Sequence, residues 1–266
     1  MRSLLLFWTL APLLWQLYSS LVTPEALVHP QAVAPGAFWT LDNYRQLLVA
    51  DPPFWRHLLN STLVGLGTTA LTLALAMPCA YGLQQQRGSL RWTVIAALLA
   101  AAIFPTVLLF LPLLQLARAL DLGNRLLALC LPYSALNLPL AVLVLRAAIA
   151  DLPGELEDAA RLEGLDLGAR WRHLLLPLLA PALGSTALLV FLFSWNEYPI
   201  ALTWISRPEL LTLSPAIARI AGSSLFTVPY GAFAAATVLG SLPLLLAVLL
   251  FQRSIVSGLT QGAIKG

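Results

Sequence analysis

The sequence predicts an all-α polytopic membrane protein with six transmembrane helices, both termini in the cytoplasm and a short charged cytoplasmic helix. Three observations carry this. The chain is 59% hydrophobic and only 10% charged, where a soluble domain carries roughly 25% charged residues. The sparse charges leave six uncharged stretches, at residues 3–24, 57–86, 92–117, 126–145, 173–196 and 220–252, each near or above the roughly 20 apolar residues that cross a bilayer. Ten of the 15 basic and 12 acidic residues fall within residues 146–172. Backbone groups in lipid must pair internally, which favours helices. The alternating ten-residue segments of a transmembrane barrel are absent.

The stretches place helices near residues 4–21, 59–83, 92–115, 127–149, 177–202 and 230–252. The first follows Arg2 and reads SLLLFWTLAPLLWQLYSSLV; it lacks an A-x-A site and exceeds a signal-peptide core, so it is read as a first span that is kept. The Pro-rich segment 23–57 follows, with room for a short helix at residues 41–48. Residues 1–53 thus form one region, residues 54–253 a five-helix transmembrane domain with a loop at 150–176, and residues 254–266 a cytoplasmic tail. With the N-terminus inside, Arg2, Arg87, Arg91, Arg146, Arg161, Arg170, Arg172, Arg253 and Lys265 face the cytoplasm, against six arginines outside, and this asymmetry sets the orientation. Trp92 and Trp171 then fall near the inner interface, and Trp55, Trp195 and Trp204 near the outer one. Cys79 and Cys130 lie in apolar runs and read as small buried hydrophobes. The net charge is only +3, too little for a nucleic-acid footprint.

Residues 151–177 read DLPGELEDAARLEGLDLGARWRHLLLP. Asp151 is a favourable N-cap and Pro153 suits a first turn. Glu155 and Glu157 favour the positive end of the helix dipole, Leu152, Leu156, Ala159 and Ala160 share one side, and Gly164 supplies the φ > 0 that ends a helix. Pro177 marks the start of the fifth span. A helix of about three turns is marginal alone in water and needs a surface to dock on. Lipid headgroups are one such surface, but an acidic helix is repelled by anionic lipid, which favours a cytosolic protein.

Here the chain resembles a family. Asp158-Ala159-Ala160, Gly164 and Leu174-Leu175-Leu176-Pro177 are similar to the EAA loop of ABC importer permeases, with Asp158 where Glu is usual, Glu163 where Asp is common and Leu165 where Ala is common. LDNYRQLL (41–48), residues 54–83, residues 104–124 and SWNEYPIAL (194–202) resemble the carbohydrate branch of that family. The terminal GLTQGAIKG is similar to the tail of the smaller maltose-type permease subunit. The resemblance implies that Glu157, Asp158, Ala159, Ala160, Arg161, Gly164 and Pro177 couple the spans to an ATPase, with Ala160 small because the helix approaches that partner closely. It implies that Gly258, Gly262 and Lys265 make a second ATPase contact in a tail too Gly-rich to extend the sixth span, and that Gly222, Ser223 and Ser224 belong to a loop entering the solute-binding protein. A solute pathway would use Asn137, Ser194, Trp195, Asn196, Glu197 and Tyr198, which offer aromatic faces, amides and hydroxyls.

The resemblance further implies a heterodimer with a second permease, two cytoplasmic ABC ATPase subunits and an extracytoplasmic solute-binding protein, in a prokaryotic inner membrane. The chain lacks a G-x-x-x-x-G-K-[ST] phosphate cradle, so it is expected to be no enzyme and to hold no cofactor, with ATP and Mg²⁺ bound by the partners. His29, His57 and His173 show no metal spacing. The rival reading is a self-sufficient secondary carrier or channel. It leaves the charged loop unexplained, and only Glu197 lies within a span, about 30 Å along the helix from Pro177 and so near the outer face. An intramembrane enzyme has no catalytic set to support it.

Overall fold

The structure, a computed structural model, describes residues 2–28, 38–222 and 229–263 and, within these, the side chains of 7–252. Thirteen helices follow in chain order: α1 (Arg2–Ser20), α2 (Pro24–Val28), α3 (Asp42–Val49), α4 (Phe54–Gln85), α5 (Ser89–Ile103), α6 (Phe110–Ala119), α7 (Cys130–Ala150), α8 (Gly154–Leu162), α9 (Leu167–Arg170), α10 (Leu176–Asn196), α11 (Pro199–Trp204), α12 (Leu213–Ala221) and α13 (Tyr230–Ala263). Among the described residues the sole strand pairing is an isolated bridge between Val22 and Trp39. Among the described residues four helical stretches, Phe54–Gln85, Leu126–Ala150, Leu167–Asn196 and Tyr230–Gln252, are long and apolar enough to cross a membrane, and the bent pair α5–α6 allows a fifth.

That bent pair corrects the expectation of one straight third span at 92–115. Ser89–Ile103 and Thr106–Ala119 meet at 87°. The cause is Pro105, whose ring disfavours helical backbone in the residue before it; Phe104 is extended at φ −62°, ψ 131°. The fifth span is also shifted toward the N-terminus relative to the expected 177–202, within the stretch Leu167–Asn196. It ends at Asn196, because Pro199 has no N–H with which to continue the ladder. The sixth runs the other way. The helix does not stop near 252 but continues through Gly258 and Gly262 to Ala263, so these glycines cost helix stability without ending the helix.

The chain forms two compact units. The first comprises Met1–Thr62, Gly123–Leu126 and Glu197–Leu246 and is tied by buried polar groups. Asn43 donates its amide to the Ser20 and Val22 carbonyls, both at 3.0 Å, and a Cβ on Gly231 would collide with that amide. Asn60 donates at 3.0 Å to the carbonyls of Glu209 and Leu211. His57 Nδ1 also lies 3.0 Å from the Leu211 carbonyl; a carbonyl only accepts, so Nδ1 carries the proton. Asn124, in the left-handed region at φ 55°, accepts from the Ser206 and Arg207 amides at 2.8 and 3.0 Å, a conformation that asparagine tolerates well. Replacing Asn60 by alanine should cost about 1–3 kcal/mol, because the Glu209 carbonyl loses this donor. The measurement is thermal unfolding of the detergent-solubilised protein, and an unchanged midpoint would show that the Asn60 bonds contribute nothing.

The second unit comprises Leu63–Leu122, Leu127–Asn196 and Ala247–Gly266. Its core joins Ala76, Met77 and Ala80 of α4, Ile95 of α5, Leu145 of α7 and Leu179 of α10, with α7 packed against both α5 and α10. Small residues let the helices approach closely, as membrane interfaces require. A Cβ on Gly65 would come within 2.8 Å of the Phe191 ring, and one on Gly67 within 2.9 Å of Cys130 Sγ. Cys130 is buried as expected, but Cys79 is exposed. Trp195 and Trp204 are buried rather than set in an outer aromatic belt.

Candidate functional site

The charged segment 151–177 is built from the end of α7. Asp151 does not cap the helix that follows. It closes α7, its amide donating to the Ala147 carbonyl, and α8 starts after Pro153, whose extended backbone offers no side-chain cap. Glu155 and Glu157 occupy the first turn of α8 and Arg161 the last, matching the helix dipole at both ends.

The end of α8 follows the expectation for Gly164. Its φ is +77°; its amide donates to the Arg161 carbonyl and the Leu165 amide to the Ala160 carbonyl, each at 3.0 Å. This is the Schellman pairing, in which a left-handed glycine lets the chain reverse onto the last turn. Asp166 then accepts the Ala169 amide at 2.8 Å and caps α9. Between α9 and α10 the backbone takes a π-helical turn at Trp171–Leu175. Pro177 lies just beyond it and has no N–H to give to the preceding turn, and such breaks in the ladder are where π turns arise. Pro177 is therefore inside a continuous helical rod, not at its start.

One carboxylate oxygen fixes α8 in place. Glu157 Oε1 accepts from the Tyr81 hydroxyl of α4, from Arg161 Nη2 at 2.9 Å and from Arg170 Nη1 at 3.0 Å. Tyr81 in turn packs edge-on against Trp171, ring centres 5.3 Å apart. Burial works against ionisation of Glu157, but the Tyr81 hydroxyl and the two arginines outweigh it and hold its carboxyl below the ordinary range. Sequence reasoning missed Tyr81 and Arg170 as partners.

The anchoring divides α8 into two faces. Ala160 is 7% exposed, covered by its own chain, so its small size serves packing within the chain. Glu155, Asp158, Ala159, Leu162 and Glu163 face outward. Leu162 is 90% exposed, and it was not singled out from the sequence. Behind the helix lies a cavity of about 580 Å³ lined by Gln84, Arg87, Leu152, Leu156, Arg161 and Leu175, among others.

Several of the remaining expected residues bond within their own helices. Asn137, Ser194 and Asn196 each donate to the carbonyl four residues back, at 2.8 Å in every case. Glu197 accepts the Ile200 and Ala201 amides at 2.8 and 3.1 Å, so it caps α11; Tyr198 is partly exposed beside it. Gly222 closes α12, its amide bonded to the Ala218 carbonyl, while Ser223, Ser224 and Lys265 lie outside the described residues. Gly258 and Gly262 are in α13. Among the described residues no group of three or more His, Cys, Asp or Glu side chains comes together.

Residues 39–261 match the profile of the family described as binding-protein-dependent transport system inner membrane component. The chain is 36% identical to the trehalose transport system permease protein SugB of Mycobacterium tuberculosis, over 99% of this chain and 95% of that protein. It is 37% identical to the sulfoquinovosyl glycerol transport system permease protein SmoH of Agrobacterium fabrum, over 99% and 92%. With the trehalose/maltose transport system permease protein MalG of Thermococcus litoralis it shares 33% identity, over 97% and 92%. A solved structure of a bacterial ABC transporter involved in the import of the acidic polysaccharide alginate contains a chain of the same fold, with a TM-score of 0.76 at 18% identity, covering 95% of this chain and 92% of that one.

Proposed function

The chain belongs to the binding-protein-dependent transport system inner membrane component family, and from that premise we propose that it is the permease subunit through which an ABC importer moves a sugar or sugar-like solute by alternating access. It is a multi-pass inner-membrane protein without enzymatic activity of its own, and the family works with a separate ATPase and a solute-binding protein. The reading is carried by α8. A short helix with an apolar knob on an acidic outer face, locked to two spans by Glu157, is built to receive force from outside and pass it to α4 and α10. Three relatives named for trehalose, maltose or sulfoquinovosyl glycerol transport support the solute class.

In this reading α1 supplies a sixth span beside the four long helical stretches and the bent pair, and both termini face the cytoplasm. A second permease completes the pathway, and two ATPase subunits seat the outer face of α8 and the same helix of the partner permease. ATP binding closes the ATPases and shifts the population from inward-open to outward-open, at which point the binding protein delivers solute. This is a coupling free energy between two sites on one two-state element.

The test is reconstitution in nanodiscs with second permease, ATPase and binding protein. Uptake of trehalose, maltose or sulfoquinovosyl glycerol should require all four components and ATP. Solute flux through this chain alone would favour the carrier reading instead. The end of α13 gives a separate expectation. Truncation after Val256 should weaken ATPase retention by about 1 kcal/mol, roughly fivefold in the dissociation constant, while the spans still insert. Wild-type stoichiometry in the truncated complex would remove the tail from the interface.

A further inference from the structure

Among the described residues, two arginines in the second unit form no ion pair with a carboxylate. Arg91 stands in the first turn of α5 and Arg146 in the last turns of α7, helices that pack directly on each other. The two guanidinium groups lie within electrostatic reach of one another. The Nε atoms of both are shut off from solvent and make no hydrogen bond. Among the described residues Arg91 makes a long 3.4 Å bond to the neutral amide oxygen of Gln84 and lies 6.0 Å from the centre of the Trp92 ring. The start of α5 adds to the demand. Gly88 precedes it without a side-chain cap, so its first amides also look for an acceptor. Only Nε is shut off in each; both side chains keep part of their surface exposed and open to an incoming acceptor. Two like charges within reach of each other repel, and an anion between them relieves that repulsion.

We infer that Arg91, Arg146 and the uncapped first turn of α5 hold the phosphodiester of an anionic phospholipid, which clamps α5 to the base of α7. The surroundings select a lipid. Leu90, Trp92, Val94 and Leu99 of α5 are exposed apolar side chains, forming a wall for acyl chains, with Trp92 suited to the headgroup level. Basic pockets between spans on the cytoplasmic side favour anionic headgroups. That placement rests on the cytoplasmic assignment made above for both arginines. Arg146 sits four residues before α7 ends and eight before α8 begins, so lipid occupancy stiffens the mount of α8.

The experiment is native mass spectrometry of the purified importer complex with phosphatidylglycerol and phosphatidylcholine of matched acyl chains. Wild type should retain phosphatidylglycerol in preference to phosphatidylcholine. The double variant Arg91→Gln/Arg146→Gln should lose the phosphatidylglycerol-bound species, and Arg87→Gln/Arg172→Gln, which removes the same charge from two exposed arginines, should keep it. Equal retention by the first variant, or equal loss by the second, overturns the site. Wild-type protein alone suffices if a variant does not fold, because displacement by phosphatidylcholine at equal concentration also overturns it. Phosphate is the shared chemistry of lipid and free anion, so displacement by inorganic phosphate would assign the site to a free anion and overturn the lipid. Lipid mass is read without transport, so a failed uptake assay leaves this inference standing, and the reverse.

Discussion

Leu162→Asp should leave the permease folded in the membrane and strip it of its ATPase. Leu162 is 90% exposed, so the substitution removes no internal contact. It sits one helical turn from Asp158 and Ala159, on the face left free once Glu157 and Ala160 turn inward. An almost fully exposed leucine amid acidic neighbours gains its whole apolar area when a partner covers it. Losing that burial costs about 2 kcal/mol, roughly a thirtyfold weaker complex, and burying a carboxylate in its place adds to that. Transport should fall below detection, because a permease without its ATPase has no energy source. Leu162→Met, which keeps the apolar area, should retain both activities. The readouts are subunit stoichiometry after affinity purification and uptake in vesicles. Normal stoichiometry in Leu162→Asp would mean that the ATPase does not use this face. A bulky residue at Ala160 is a weaker test, since it would disturb the packing beneath α8 before any partner is met.

What the sequence revealed and what it hid divide by range. The φ > 0 at Gly164, the short helix at Asp42–Val49 and the acidic first turn of α8 are local, set by residues within one turn of each other, and were legible. The 87° break in the third span was also written locally, in Pro105, but charge counting treats a proline inside an apolar run as silent. Pro199 was overlooked for the same reason, and with it the capping role of Glu197. The Glu157 node was not legible. Tyr81 is 76 residues from Glu157 and Arg170 is 13 away, and nothing in either local pattern names the other. A sequence also does not display i−4 back-bonding, which engages one donor each of Asn137, Ser194 and Asn196.

Glu157→Ala should uncouple ATP hydrolysis from solute movement without dispersing the complex. The substitution leaves the outer face of α8 intact but frees its mount: the Tyr81 hydroxyl loses its acceptor, and Arg170, 14% exposed, keeps a charge with no carboxylate beside it. Breaking a fully buried pair costs about 3–5 kcal/mol; Glu157 retains 25% exposure, so solvent brings the expectation down to about 1–3 kcal/mol. A coupling free energy of that size corresponds to roughly 5- to 150-fold in the linkage between sites. ATP turnover should therefore persist while uptake per ATP drops. A pH scan separates the carboxylate from mere packing. The Glu157 carboxyl is held below its ordinary value of 4.5, so its stabilising contribution is complete above 4.5 and is lost as the pH falls through the lower value of the folded state. Wild-type complex should lose thermal stability on that acid side, and Glu157→Gln, which cannot ionise, should flatten this part of the profile. Double substitution with Tyr81→Phe should be less than additive, because both single changes break the same bond. Strict additivity, or an acid limb that survives in Glu157→Gln, would mean that α8 is held by its apolar contacts and that Glu157 carries no force between the ATPase and the spans.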